Sequence, residues 1–454
     1  MDSQLSRRGF LAMAAGAAAA PALAACSSGS GSDGKVEITV MGMPPTTQQV
    51  ARKRYQARVK EFEKLNPTIK VTPSDEQWDA RTFATKLAGG TATVVIDVPM
   101  TEPPGLIDRG QVADITAEAR KLSIFSSYDP RVLGIVTRAG KVYGLPRAAY
   151  SLGLAYNREL FTKAGLDPDA PPSTWDDLRA AAKTITTKTG VPGFGEMSTN
   201  NTGGWHLTAA TYTRGGVMER KQGKGYVPAF NDAPTRDALS FLSSMRWDDK
   251  SMGTNQLRNQ PDLIKAFASG KVAMFVSAPD LYGLYLQQYK GDPKVLGMGS
   301  MPQGNGNATL LGGSVMMVNS RATPQQQAAA MKFIDHMSLR PLYDTTIAAE
   351  NAKADAADKS PVGVPAVPIF SKSVQAKVDA AIKPYVNVPL ANFAPYVAGD
   401  AKLNYQAEPP VAAQDLYAAL DSVVQAVLTK RGTDVAGALS GAEAKVAAVL
   451  KRQQ

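Results

Sequence analysis

Val36-Glu37-Ile38-Thr39-Val40 opens a run of alternating pattern types that decides the fold: a helix-like stretch carrying Tyr55, Val59 and Phe62 comes next, then Ile69-Lys70-Val71, then Asp79 to Leu87, then Val94-Val95-Ile96-Asp97-Val98. Val36, Ile38 and Val40 alternate with Glu37 and Thr39, which predicts a strand, and Gly42-Met43-Pro44-Pro45 ends it in a loop. Tyr55, Val59 and Phe62 recur at helical spacing among Arg and Lys residues until Asn66-Pro67 stops them. Ile69 to Val71 reads as a second strand, Asp79 to Leu87 as a second helix and Val94 to Val98 as a third strand. Strand and helix in strict alternation predict an α/β fold with a parallel sheet covered by helices. Ligands collect at the carboxyl ends of such strands, so the loops after Val40, with Met43, and after Val98 are the ones to examine.

Outward from that unit, the chain is long enough for two or three lobes. Its 454 residues are set against roughly 150 per domain. With 44% hydrophobic and 20% charged residues it is neither disordered nor collagenous. One cysteine excludes an internal disulfide, and with His206 and His336 the only histidines a His/Cys metal cluster can hardly be built. The net charge of +10 comes with no dense Lys/Arg run, so it reads as a solubility feature and not as a nucleic-acid surface.

Residues 1–25 read as an export signal. Ser6-Arg7-Arg8-Gly9-Phe10-Leu11 precedes an Ala-rich run to Ala25, and adjacent arginines before Phe-Leu are similar to the twin-arginine type, with a general secretory signal as the alternative. The apolar run is short of the ~20 residues that span a bilayer. Leu23-Ala24-Ala25-Cys26 resembles a lipobox, in which the Cys26 thiol takes a diacylglyceryl group and becomes the new N-terminus. Residues 26–34, rich in Ser and Gly, have the composition of a flexible tether. The expected location is the extracytoplasmic face of the cell membrane, with the membrane reached through lipid on Cys26.

Further along, Thr174 and Asp177 cap a helix through Leu178, Ala181 and Ile185, and Pro261-Asp262-Leu263 starts another, with Gly270 just past its end and a strand from Val272 to Val276. Leu416, Leu420, Val423, Val424, Val427 and Leu428 form one helical apolar stripe; Leu439, Val446, Val449 and Leu450 form a second. No phosphate loop, dinucleotide fingerprint, His-Glu-x-x-His or Gly-x-Ser-x-Gly is present. No metal and no cofactor is therefore expected. Paired carboxylates for glycoside hydrolysis have spatial and not sequential spacing, so the pattern is silent on them.

Gly140-Lys141-Val142-Tyr143-Gly144-Leu145-Pro146, Leu154-Ala155-Tyr156-Asn157-Arg158-Glu159-Leu160-Phe161, Pro172-Ser173-Thr174-Trp175-Asp176-Asp177-Leu178 and Ala268-Ser269-Gly270-Lys271-Val272-Ala273-Met274 follow one another in order, with Leu311-Gly312-Gly313-Ser314 beyond them. Together they resemble the extracellular solute-binding proteins of bacterial ABC importers, in the carbohydrate-binding family related to maltose-binding protein. The resemblance covers essentially the whole chain after the tether. It implies a periplasmic-binding-protein-like fold of two hinge-linked α/β lobes: 35–148 plus 300–338 as the N-terminal lobe and 149–299 plus 339–454 as the C-terminal one. It also implies a membrane permease as partner and no catalysis.

Residues of the site come over from the family one by one. Its polar contacts after the third strand fall on Met100, Thr101 and Glu102. Glu102 can take two sugar hydroxyls or be a solvated loop carboxylate. Tyr150 stands where the family has a carboxylate; it would stack on a ring, donate its hydroxyl, or pack in the hinge. Trp205 matches a mid-chain tryptophan beside the site, with Asn200 and Asn201 either bonding solute or serving the turn. After Pro279 the family often places a tryptophan; here Asp280 stands there and the nearest aromatic is Tyr282. Trp78 either lines the cleft or packs in the core, and Gly313 with Ser314 would let backbone approach the ligand. The solute implied is a sugar or oligosaccharide. The alternatives are a non-sugar polar or cationic solute, which Glu102 and Asp280 favour, an envelope polysaccharide hydrolase, and a receptor that reports solute to a sensor kinase.

Overall fold

The computed structural model describes residues 34–453 except Thr47, Ala80, Arg81 and Lys224. The export signal, Cys26 and all but the last tether residue lie outside them. The opening unit forms much as its pattern predicts: β1 (Val36–Val40), α1 (Gln49–Leu65), β2 (Ile69–Pro73), α2 (Phe83–Gly89) and β3 (Val95–Pro99), with β1 parallel to both other strands. Val59 and Phe62 are buried on α1. The second helix starts four residues later than the pattern suggests, because the Asp79 carboxylate accepts from the Thr82 N–H and hydroxyl (3.2 and 3.3 Å) and closes a turn there instead.

The sheet is mixed, not purely parallel. After α3 (Pro103–Asp108) and β4 (Gly144–Ser151), the chain leaves this lobe and returns as β8 (Ala308–Val318), which runs antiparallel to β3 on one side and β4 on the other. The lobe reached in between has its own sheet, with β5 (Gly153–Asn157) flanked by β6 (Met274–Ser277) and β7 (Leu296–Ser300), both antiparallel to it. Helices α4 (Trp175–Thr189), α5 (Thr202–Tyr212) and α6 (Gln260–Ala268) belong to that lobe. The predicted cap is present, the Thr174 hydroxyl accepting from the Asp177 N–H (3.1 Å), and α6 begins with a full capping box of Asn259 with Asp262 that the pattern did not mark.

Hydrophobic burial divides the chain into two bodies that meet within a few residues. Ala149 and Leu311 lie in the core of the first lobe; Leu152 and Leu310 lie in that of the second. A third crossing is β9 (Asn404–Ala407), parallel to the first half of β8. At this junction Ser151 donates to Asp400 (2.7 Å), Tyr405 donates to the same carboxylate (2.6 Å), and the Tyr396 hydroxyl lies 2.6 Å from that of Ser151. Two of the three crossings, at Ser151 and at Tyr405, are thus tied to one buried carboxyl group.

The boundary at 339 read from sequence differs from the packing. After α7 (Pro324–Ile334) and α8 (Thr345–Ala357), Val367, Ile369 and Phe370 are buried in the first core with Leu339, whereas Val388 and Phe393 pack in the second lobe. Met301 and Leu310 likewise pack with the second lobe and not the first. The terminal helices α9 (Ala413–Thr429) and α10 (Val435–Gln453) bury the two predicted stripes, with Val449 only half-buried.

Helix α5 lies against α9 because Gly204 brings backbone to backbone. A Cβ on Gly204 would fall 2.2 Å from the Tyr417 carbonyl oxygen. Gly204→Val should therefore force the pair apart and lower unfolding free energy by about 2–3 kcal/mol, read as a fall in urea midpoint, where a surface Gly→Val change of equal propensity would cost under about 1 kcal/mol.

Candidate functional site

The gap between the lobes is floored by the carboxyl ends of β1 and β3 and by the middle of β8. The turn after β1 is fixed from below, where the Gly42 N–H donates to the Glu76 carbonyl (3.1 Å) and the Met43 N–H to that of Ser74 (2.9 Å). A pocket of about 270 Å³ opens here, lined by Gly42, Trp78, Asp97, Arg147, Gly313 and Ser314 among others. Trp78 is half-buried against the core, and its indole N–H is buried with no hydrogen-bond partner among the described residues. Arg147 grips Asp97 with two groups, Nε at 3.0 Å from both oxygens and Nη2 at 2.6 Å from Oδ2.

Gly313 is required at its position. A Cβ there would sit 2.1 Å from the Ala148 carbonyl and 2.8 Å from the Met100 methyl, and the Met100 N–H donates to the Gly313 carbonyl (3.1 Å). Met100 and Met43 are themselves buried, so they shape the floor from beneath. Thr101 and Glu102 follow at the start of α3, where the Thr101 hydroxyl donates to Glu102 Oε1 (3.2 Å). Here the lobes touch: Gln414 Nε2, at the start of α9, reaches the Thr101 hydroxyl at 3.5 Å.

From the second lobe, Tyr150 and Trp205 stand edge to face with ring centroids 6.3 Å apart at 88°. Tyr150 can lie flat over β8 only because Gly312 has no side chain; a Cβ would be 2.6 Å from its ring. Trp205 is carried on α5, whose first turn donates the Asn201 and Gly204 N–H groups to Asp421 of α9 (2.7 and 2.8 Å). The Asn201 amide is spent on Gln414, and Asn200, at φ 58°, is exposed in the turn. Tyr282 is not in the gap. It is fully buried, edge-on to Phe393 at 5.6 Å in the second lobe's core. Asp280 keeps solvent contact while protein surrounds it, and desolvation pushes its carboxyl up.

One group that the sequence did not mark completes the arrangement. Glu408, in the loop after β9, accepts from the Tyr417 hydroxyl (3.0 Å). Burial pushes it up to about 7; the charge of Glu102 adds to that, while hydrogen bonds from Tyr417 and Trp205 oppose it. Burial likewise raises Glu102, with Thr101 and Arg109 opposing and Asp415 adding. Behind the loop, Glu219 accepts from the Val411 N–H (3.0 Å) and burial pushes it up to about 8. Nothing in Tyr405-Gln406-Ala407-Glu408-Pro409-Pro410 announces a ligand group. Asp97 did carry a signal, since a carboxylate inside the apolar strand Val95-Ile96-Asp97-Val98 requires a partner. Among the described residues no cluster of His, Cys, Asp and Glu could hold a metal ion.

The profile of the bacterial extracellular solute-binding protein family matches residues 46–339. A Brucella abortus protein described as a binding protein is 28% identical over 232 residues, 49% of this chain and 53% of that one. The sn-glycerol-3-phosphate-binding periplasmic protein UgpB of Yersinia pestis is 27% identical over 213 residues, 43% of this chain and 45% of that one. The chain thus spans about half the length of the curated relatives it matches. Among solved structures, a Thermotoga lettingae solute-binding protein bound with α-D-tagatose superposes with TM-score 0.69 at 19% identity, over 92% of this chain and 100% of that one. The GacH receptor of Streptomyces glaucescens gives 0.69 at 21% over 92% and 99%, and UgpB of Mycobacterium tuberculosis with glycerophosphocholine gives 0.69 at 17% over 93% and 100%. Likeness at these identities carries the two-lobed fold and no solute.

The raised carboxyls fix a pH response. Between their ordinary range and pH 7–8 the folded chain holds protons on Glu408 and Glu219 that the unfolded chain releases, so their contribution to stability is full below that window and is lost as pH rises through it. Glu408→Gln should flatten the loss: the unfolding free energy of the variant relative to wild type should rise by roughly 1–2 kcal/mol from pH 5 to pH 8, with each pKa unit worth about 1.4 kcal/mol before solvent screening. Trp205 fluorescence should titrate near pH 7 in wild type and not in the variant.

Proposed function

This chain belongs to the family of bacterial extracellular solute-binding proteins, and on that premise we propose that it is the lipid-anchored capture component of an ABC importer, closing its lobes on a sugar or short oligosaccharide. The observation that carries this reading is the meeting, in one gap, of the Tyr150–Trp205 corner with the Glu102, Glu408 and Asp280 carboxyls and the Gln414 amide. Sugars present apolar ring faces and divergent hydroxyls; aromatic rings serve the first and carboxylates or amides the second. Trp78, Gly313 and Ser314 would form the first lobe's share of the contact, with Thr101 and Glu102 beside them and Met43 and Met100 supporting from below.

Capture would consist of rotation about the three crossings until both lobes touch the solute, with no bond made or broken. A permease would then receive it. Anchoring rests on Leu23-Ala24-Ala25-Cys26 with the Arg7-Arg8 pair ahead of it, and no helix among the described residues is long and apolar enough to cross a membrane. A second reading, a cationic or polyol solute, is favoured by the same carboxyls. A glycerophosphate, of the kind the Yersinia relative is named for, would set its negative charge against them.

Calorimetric titration with mono- and oligosaccharides, polyols, quaternary amines and glycerophosphates separates these readings. Sugar binding in the micromolar range corresponds to about 8 kcal/mol. Trp205→Ala and Glu102→Gln should each weaken it at least tenfold, whereas saturable binding of amines alone would overturn the sugar reading, and turnover of a labelled glycan would overturn capture without chemistry. For the anchor, Cys26→Ser should move the protein from the membrane fraction to the soluble one.

A further inference from the structure

Beyond the Asp97–Arg147 pair, the first lobe holds a second cavity of about 690 Å³, well within the range of small-molecule sites. It shares Met41, Gly42, Asp97 and Arg147 with the pocket in the gap, so the ion pair is a common wall. Its sides are two helices facing each other. Helix α1 turns Ala51, Arg54, Tyr55 and Arg58 inward, spaced i, i+3, i+4 and i+7 along one face, and α8 answers with Ala354 and Asp355.

The sequence explains why space remains. Helix α8 reads Thr345-Thr346-Ile347-Ala348-Ala349-Glu350-Asn351-Ala352-Lys353-Ala354, and it presents alanine where a large apolar side chain would fill the volume over Met316, Phe333 and Leu342. The cavity is open to solvent at its mouth, where Ala51, Ala57 and Ala354 are exposed, so it is a recess with an apolar floor of the kind that takes small molecules. The roof is held, not loose: the Arg54 guanidinium pairs with Asp355 and Asp358 of the α8 end.

Charge around the chamber is uneven. Arg54 is matched by two carboxylates and Arg147 by Asp97. The half-buried Arg58 donates to the His336 carbonyl (2.7 Å), and among the described residues no carboxylate pairs with it directly. Burial pushes its guanidinium down, while Glu61 and Tyr55 act the other way through space. Burial, with Asp97 adding, pushes the Tyr55 hydroxyl up to about 12, so it remains a donor.

We infer that this chamber is a second binding site, separate from the interlobe gap, for a small amphiphilic anion: its aliphatic or ring body would lie on Met316, Phe333 and Leu342, and its carboxylate or phosphate head on Arg58 and Tyr55. The inference does not depend on which solute the gap takes.

Hexyl phosphate and hexanoate are the probes, with inorganic phosphate and 1-hexanol as the two halves of the ligand taken separately. Calorimetry on the whole protein should show one saturable site for at least one amphiphile, at least tenfold tighter than for either half. Arg58→Gln should weaken it about tenfold, Ala354→Trp should abolish it by filling the mouth, and Trp205→Ala should leave it unchanged, each with the melting temperature of the unliganded protein as the control on folding. No saturable heat up to about 10 mM, a level equivalent to under about 3 kcal/mol of binding, would overturn the inference. So would undiminished binding by folded Ala354→Trp, or loss of binding in Trp205→Ala, which would put the anion in the gap.

Discussion

One strand, β8, is shared by two hydrophobic cores, and the rest of the molecule is arranged around that sharing. Leu310 belongs to one core and Leu311 to the other, so the sense of burial changes across a single peptide bond. Such a strand cannot slip in register without exposing both sets of side chains. Its position is fixed further by β3 and β4 on either side and β9 at its start. The gap opens where this strand passes between bodies, and Gly312 and Gly313 lie at that place because Tyr150 on one side and the Ala148 carbonyl on the other leave no room for a Cβ.

From this geometry follows the electrostatic character of the gap. Residues that reach it lose much of their water, and the carboxyls of Glu102, Glu408 and Asp280 are all pushed up by desolvation first, though Asp280 keeps solvent contact. Asp97 is the contrast. Its charge is met by a two-pronged guanidinium, which keeps it available as a fixed wall between two cavities and not as a group in search of a partner.

Much of this was legible in the amino-acid pattern wherever the cause is local. Strand β1 was read to the residue, the stop of α1 came from Asn66-Pro67, the cap at Thr174 was visible as residue types at fixed spacing, and the Pro261-Asp262-Leu263 start falls at the opening of α6. What escaped depends on contacts distant in the chain. Tyr282 is kept from the gap by Phe393, and no local period says which side of a short helical turn meets that ring. Residues 339–370 return to the first lobe because Val367, Ile369 and Phe370 find its core, a partner choice that alternation cannot express. Glu408 gains its character from burial first, with Glu102 adding and Tyr417 and Trp205 opposing, all brought to it from elsewhere in the chain.

The interleaved path of the chain also sets a timetable. When a ribosome has delivered β3, the neighbour that will cover its edge has not been made; the part of the second body from β5 to β7 must emerge before β8 arrives. During that interval the nascent first lobe carries an open, apolar flank of the kind that invites aggregation. Long-range pairing of this sort is slow to form, so the finished clamp is an assembly of late contacts, and holding factors that shield the waiting edge would act on β3 before any other part of the molecule.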